Sequence, residues 1–258
     1  MVKKILLGLA AVLAMLAASF LMGCRHATVR DVNGSAGGVR TYETAFPLVE
    51  SRLSEGGLWI NGGVAGADLW GDIRTPTGLA FGVSEPTKYG DPTAILSGAW
   101  GADQTVSATV RIVDEARFKN ASCHEVEVRL RTSIDAATHS ITGYEAYGSL
   151  MANNPYLHIA SWGGPNGVWV NMESRSPAVA LKDGDVLKAT VTGTNPVVIT
   201  MFINGVQVLQ VEDRGAYTFS DGKHYGPWTG GAPGIGFYDD VDNEWSAFGI
   251  SAFSATAR

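Results

Sequence analysis

Along most of this chain the hydrophobic pattern has a period of two. Over residues 104–113, Val106, Ala108, Val110 and Ile112 alternate with Thr105, Ser107, Thr109 and Arg111, which predicts a strand with one buried face. Val186–Thr192 does the same, with Leu187, Ala189 and Val191 on one side and Lys188, Thr190 and Thr192 on the other. Two further runs, Val197–Ile203 and residues 206–211, are separated by Asn204-Gly205. Asn-Gly between β-branched runs predicts a type I′ hairpin, because that turn needs positive φ at both central residues. A two-residue loop sets Ile203 opposite Val206, Met201 opposite Val208 and Ile199 opposite Gln210. The other face carries Val198, Phe202, Leu209 and Val211 beside Thr200 and Gln207. A hairpin apolar on both sides is expected deep in a sheet covered on both faces, or in a strongly curved one.

More short runs follow the same rule. Strands are predicted at residues 59–61, 94–100, 123–133, 143–150, 156–162, 168–173, 234–238 and 247–255. Residues 66–92 and 217–231 read as irregular. No 3.6-residue period and no internal repeat appears past residue 24. About twelve to fourteen evenly spaced strands predict an all-β antiparallel sandwich, one domain over residues 46–258.

The N-terminus breaks the pattern. Lys3 and Lys4 precede an almost unbroken apolar run over residues 5–22, and Leu21-Met22-Gly23-Cys24 follows. This resembles the lipobox of bacterial lipoproteins, which implies a signal peptide over residues 1–23 and lipidation of Cys24. The run also reaches the roughly 18 residues of a short membrane span, so an uncleaved anchor is the alternative. Arg25 after the Cys resembles an outer-membrane or cell-surface address. Residues 24–45, with Asn33-Gly34-Ser35-Ala36-Gly37-Gly38, read as a flexible tether.

Composition narrows the classes. Gly accounts for 32 of 258 residues, only 17% of residues are charged, and the net charge is −6. Cleavage would remove Lys3 and Lys4 and make it −8. No Lys/Arg cluster lies beyond the N-terminus, so no nucleic-acid partner is expected. With Cys24 lipidated, Cys123 has no partner for a disulfide and reads as a small buried strand residue.

Three motifs occur in order: Asp183-Gly184-Asp185-Val186-Leu187, Phe202-Ile203-Asn204-Gly205-Val206, and Pro233-Gly234-Ile235-Gly236-Phe237-Tyr238. They resemble the closing half of concanavalin A-like (laminin-G-like) jelly rolls. That superfamily holds lectins, glycoside hydrolases, polysaccharide lyases and domains without known activity, so the resemblance implies a fold and leaves the chemistry open.

The stretch His124-Glu125-Val126-Glu127-Val128-Arg129-Leu130-Arg131 is the main candidate site. Val126, Val128 and Leu130 point to the core. Glu125, Glu127, Arg129 and Arg131 form a row on the opposite face, either a solvated ladder or the floor of a concave glycan groove. Carboxylates at i and i+2 lie about 6–7 Å apart at Cα, within reach of the spacing in retaining glycosidases. Resemblance to family 16 hydrolases implies Glu125 and Glu127 as the pair, with the family's third acid missing. Resemblance to alginate-type lyases implies Glu127 and Arg129, with His158 and Tyr144 or Tyr147 as partners. Candidate ligand-binding residues are thus Glu125, Glu127, Arg129, Arg131, Tyr144 and Trp162. Trp70, Tyr89, Trp169, Tyr225 and Trp228 lie in or beside loops as stacking candidates. Asp239, Asp240 and Asp242, with Asn243 and Glu244, form an oxygen-rich loop suited to Ca²⁺ or simply a solvated turn. No other cofactor is expected. The leading expectation is a lipid-anchored envelope protein that binds polysaccharide. An enzyme using the same face, and an adhesion domain without a sugar ligand, are the alternatives.

Overall fold

The period-two runs pair into two antiparallel sheets in the computed structural model, which describes residues 27–32, 38–65, 70–76, 78–83, 90–120, 123–165, 167–176, 178–239 and 245–258. One sheet has the order β1 (Thr28–Val32), β2 (Val39–Thr44), β16 (Phe248–Ala257), β7 (Gln104–Ile112), β12 (Val186–Thr192), β13 (Val197–Ile203), β14 (Val206–Asp213). The other has the order β11 (Trp169–Arg175), β10 (Leu157–Pro165), β9 (Ser140–Ser149), β8 (His124–Asp135), β15 (Ala232–Asp239), β6 (Thr93–Leu96), β3 (Trp59–Asn61). A small ribbon, β4 (Asp72–Arg74) with β5 (Phe81–Val83), stands apart. Side chains of Val106, Ala108, Leu187, Ile199 and Met201 from the first sheet share a buried core with Val126, Val128, Leu130, Ile159, Ile235 and Phe237 from the second. This is the all-β jelly-roll sandwich class expected from the sequence.

Two expectations are corrected. Within the stretch expected as a tether, Thr28–Val32 and Val39–Thr44 form strands instead. β2 pairs with β16, and β1 pairs with β2. The cause is local chemistry: Tyr42 is fully buried, and its hydroxyl and that of Thr44 donate to the buried Glu55 carboxylate. The Trp59 indole N–H also reaches Glu55, at 3.1 Å. A residue that carries such a network has no reason to stay in solvent.

The hairpin register is the second correction. Asn204 and Gly205 have φ of 51° and 80°, as a type I′ turn demands, and Ile203 does pair with Val206. A bulge between Met201 and Phe202 then shifts the ladder, so Met201 pairs with Leu209 and Ile199 with Val211. The extra residue turns Leu209 and Val211 into the core and leaves Gln210 exposed. The two-faced apolar pattern is thereby resolved without a cover over both faces, and β14 is an edge strand.

Candidate functional site

β8 lies in the middle of its sheet, and alternation sends Glu125, Glu127 and Arg129 to the face turned away from the core. Register then fixes their neighbours. Arg129 stands opposite Glu145 on β9 and Gly234 on β15; Glu127 stands opposite Tyr147 and Gly236. Across the next strand Tyr147 faces His158, and Glu145 faces Ala160.

The row is not an open floor. Two residues from between β3 and β6 lie over it, Trp70 edge-on against Trp162 at 4.9 Å and Asp91 against Arg129. Glu127 and Arg129 are 1% and 0% exposed. The Arg129 guanidinium is held by three carboxylates: Glu127 at 2.6 Å, Asp91 at 2.7 Å and Glu145 at 2.8 Å. It also lies over the Trp162 ring at 5.3 Å, and the Trp162 indole N–H donates to Glu145. Gly236 fits above this cluster because it has no side chain: a Cβ there would sit 2.0 Å from the Glu127 carboxylate and 2.9 Å from Arg129 Nε.

Three carboxylates sharing one guanidinium in a buried place cannot all be ionised cheaply. Burial raises the pKa of Glu127 and Glu145, and raises Asp91 to about 7 against the pull of Arg129. Burial works against the Arg129 charge, but Glu145, Glu127 and Asp91 outweigh it and keep it firmly protonated. Oxygens of Asp91, Glu127 and Glu145 lie within 4.8 Å of one another, a spacing that suits a metal ion, and the Arg129 guanidinium lies against all three.

Beside the cluster a cleft of about 180 Å³ opens, lined by Asp91, Glu125, Glu145, Tyr147, Ala160, Trp162, Trp169 and Tyr238. Glu125 is half-buried at its edge and accepts a hydrogen bond from Tyr156 Oη. Burial lifts its carboxyl to about 8, opposed by that hydrogen bond. Tyr147 donates to Asn171 Oδ1 at 3.0 Å and stacks on His158 with centroids 5.1 Å apart. The cleft therefore combines aromatic walls with carboxyl groups, the lining that sugar rings with apolar faces and hydroxyl edges require.

Several predicted site residues lie elsewhere. The β8–β9 ladder shifts between Leu130 and Ser133, and Arg131 takes a φ of 47°. This breaks the alternation, so Arg131 leaves the row. Its guanidinium ties the carbonyls of Ala102, Gly193 and Trp228 at the end of the sandwich. Tyr144 pairs with Leu130 and so faces the core, where it donates to Asp213 at 2.7 Å. His158 sits on the cleft's face but behind Tyr147, and burial lowers its pKa. Trp162, a candidate ligand-binding residue, lies within β10 and is 4% exposed, so most of its ring is covered. Asp239 turns inward to His124 at 3.1 Å, both side chains wholly buried, which removes it from a surface Ca²⁺ loop. Asp240 and Asp242, like Cys24 and Tyr89, lie outside the described residues. Cys123 is half-buried just before β8, packed against the Tyr147–Tyr156 cluster, and is not a strand residue.

Sequence reasoning missed Asp91, Glu145, Tyr156 and Tyr238. Glu145 had a usable signal, since alternation along residues 143–150 separates Tyr144 and Ala146 from Glu145 and Tyr147. Asp91 had none, because it lies in an irregular stretch.

No family model matches the sequence, and no curated protein matches it. Among solved structures, the chain is similar to the Emp47p carbohydrate recognition domain, at 10% identity over 83% of this chain and 96% of that one, with a TM-score of 0.48. It is similar to β-agarase A in complex with oligoagarose, at 12% identity over 90% and 92%, with a TM-score of 0.49. An endo-1,3-β-glucanase from Streptomyces sioyaensis follows at 8% identity over 87% and 98%, with a TM-score of 0.44. Likeness of this degree concerns the fold, and ligand and chemistry rest on the residues of this chain.

Proposed function

We propose that this protein is a lipid-anchored envelope protein whose jelly roll binds polysaccharide in the cleft beside Glu125. The observation that carries the reading is the meeting of Tyr147, Trp162, Trp169 and Tyr238 with Asp91, Glu125 and Glu145 around one cavity on the outer face of a sheet. Aromatic rings stack on the apolar faces of sugars, and carboxyl groups accept from their hydroxyls. At about 180 Å³ the cavity is smaller than the roughly 300 Å³ at which drug-sized pockets begin, so it holds about one ring of a longer chain. A glycan array probed with the full chain tests this: retention of a defined polysaccharide is expected, and an empty array would overturn it. The anchor rests on the lipobox-like Leu21-Met22-Gly23-Cys24, and metabolic palmitate labelling that Cys24→Ser abolishes is the expected result.

One observation favours a second reading, glycoside hydrolysis. Burial lifts Glu125 to about 8, and it shares the cleft with Glu145, the pairing of an acid with a second carboxyl group that such chemistry uses. Appearance of reducing ends, lost in Glu125→Gln, would support it. A lyase is disfavoured because Arg129, the group that would neutralise a uronate, is buried and engaged by three carboxylates.

A further inference from the structure

We propose that the cleft selects a sugar bearing a protonated amine, a hexosamine unit within a polysaccharide, over N-acylated, neutral and acidic sugars. The inference rests on the glycan-binding reading and adds the charge of the ligand to it.

Three carboxyl groups and four aromatic rings line the cavity, and among the described residues no Lys, Arg or His joins that lining. Among the described residues the nearest cation, Arg129, is buried beneath, where Asp91, Glu127 and Glu145 already surround it. Glu125 is different: its partner is the Tyr156 hydroxyl, a neutral donor. Burial in the cleft wall disfavours the ionised form of Glu125, and a cation entering beside it favours that form again. An ammonium group entering the cleft supplies that cation. It would donate a charge-assisted hydrogen bond to Glu125, whose own proton passes to solvent, and gain from Tyr147, Trp162, Trp169 and Tyr238 around it the attraction of ring faces for positive charge. A uronate or sulfate would instead meet three carboxyl groups whose one buried cation, Arg129, is already engaged by Asp91, Glu127 and Glu145, and the overall charge of −6 opposes its approach as well.

The test is a calorimetric titration of the full chain with three oligosaccharides of equal length: glucosamine units, N-acetylglucosamine units and galacturonate units, with a neutral glucan series alongside. The inference expects the amine-bearing oligomer to bind at least tenfold more tightly than its acetylated form, and no binding of the galacturonate oligomer. Raising salt should weaken the amine-bearing ligand and leave the acetylated one nearly unchanged, a readout that needs no variant. In Glu125→Gln the preference should fall to near parity. Equal or tighter binding of the acetylated, neutral or acidic oligomer overturns the amine preference while leaving glycan binding standing. Failure of every oligomer to bind overturns both.

Discussion

Arg129 donates to Glu127 at 2.6 Å, two residues earlier on the same strand, and both side chains are almost wholly enclosed. Same-strand neighbours at i and i+2 normally stand side by side in solvent and contribute little. Here Trp70 and Asp91, lying over the row, remove the water, and Glu145 completes the surround. The cluster thus acts as the rigid floor from which Glu125 and the aromatic walls project into the cleft.

Arg129→Met should destabilise the domain by roughly 3–5 kcal/mol, because it leaves three buried carboxyl groups without their cation. Loss of the guanidinium lifts their pKa values further, so the penalty should be smaller at pH 5 than at pH 8. Denaturant midpoints at the two pH values check this. An equal penalty at both would mean that the carboxylates do not depend on Arg129.

Stability of the parent protein should fall as pH rises from 5 to 9. Glu55 is raised to about 6, Asp91 to about 7 and Glu125 to about 8, each chiefly by burial. Groups with a folded pKa above the unfolded one bind protons more tightly when folded. Their contribution is therefore complete below the unfolded carboxyl value of about 4.3 and is lost as pH passes through 6, 7 and 8. Melting temperatures across that window should decline, and Glu125→Gln should flatten the upper part. A melting temperature that rises between pH 5 and 8 would contradict the burial of these groups.

Gly236→Ala should cost about 2 kcal/mol or more, a large effect for one methyl group on a strand. The added Cβ would meet the Glu127 carboxylate and the Arg129 guanidinium, neither of which has room to move. By contrast Gly205→Val, with nothing near its Cβ, should cost about 1 kcal/mol or more through backbone strain alone, since φ there is 80°. Urea midpoints of the two variants separate the causes: adding Glu127→Ala, which removes the clashing carboxylate, should relieve the first and leave the second untouched.

The fold and the candidate site differ in how much of each the sequence shows. Alternation in β7 and β12, and the Asn204-Gly205 turn, are local signals, and each appears in the structure where the pattern puts it. Alternation also placed Glu125, Glu127 and Arg129 on one face. It failed at Arg131, because a bulge adds a residue without marking it in the composition. Burial of the row was hidden for a different reason. It comes from Trp70 and Asp91, contributed by an irregular segment whose course no periodicity describes. Tyr144 was misplaced although its strand was recognised, since its face follows from pairing with Leu130 across the sheet.

The central claim is that the cavity between Glu125 and Trp169 holds a sugar ring. Trp169 is the ring to remove, since it lines the cleft while remaining partly exposed, so truncation should spare the fold. Calorimetric titration of the parent and of Trp169→Ala, with a panel of neutral, amine-bearing and acidic oligosaccharides, is the most direct measurement. The prediction is a binder for the parent whose affinity drops about tenfold or more in Trp169→Ala, about 1.4 kcal/mol, at an unchanged melting temperature. A panel without any binder, or a binder whose affinity is the same in both proteins, would contradict the claim.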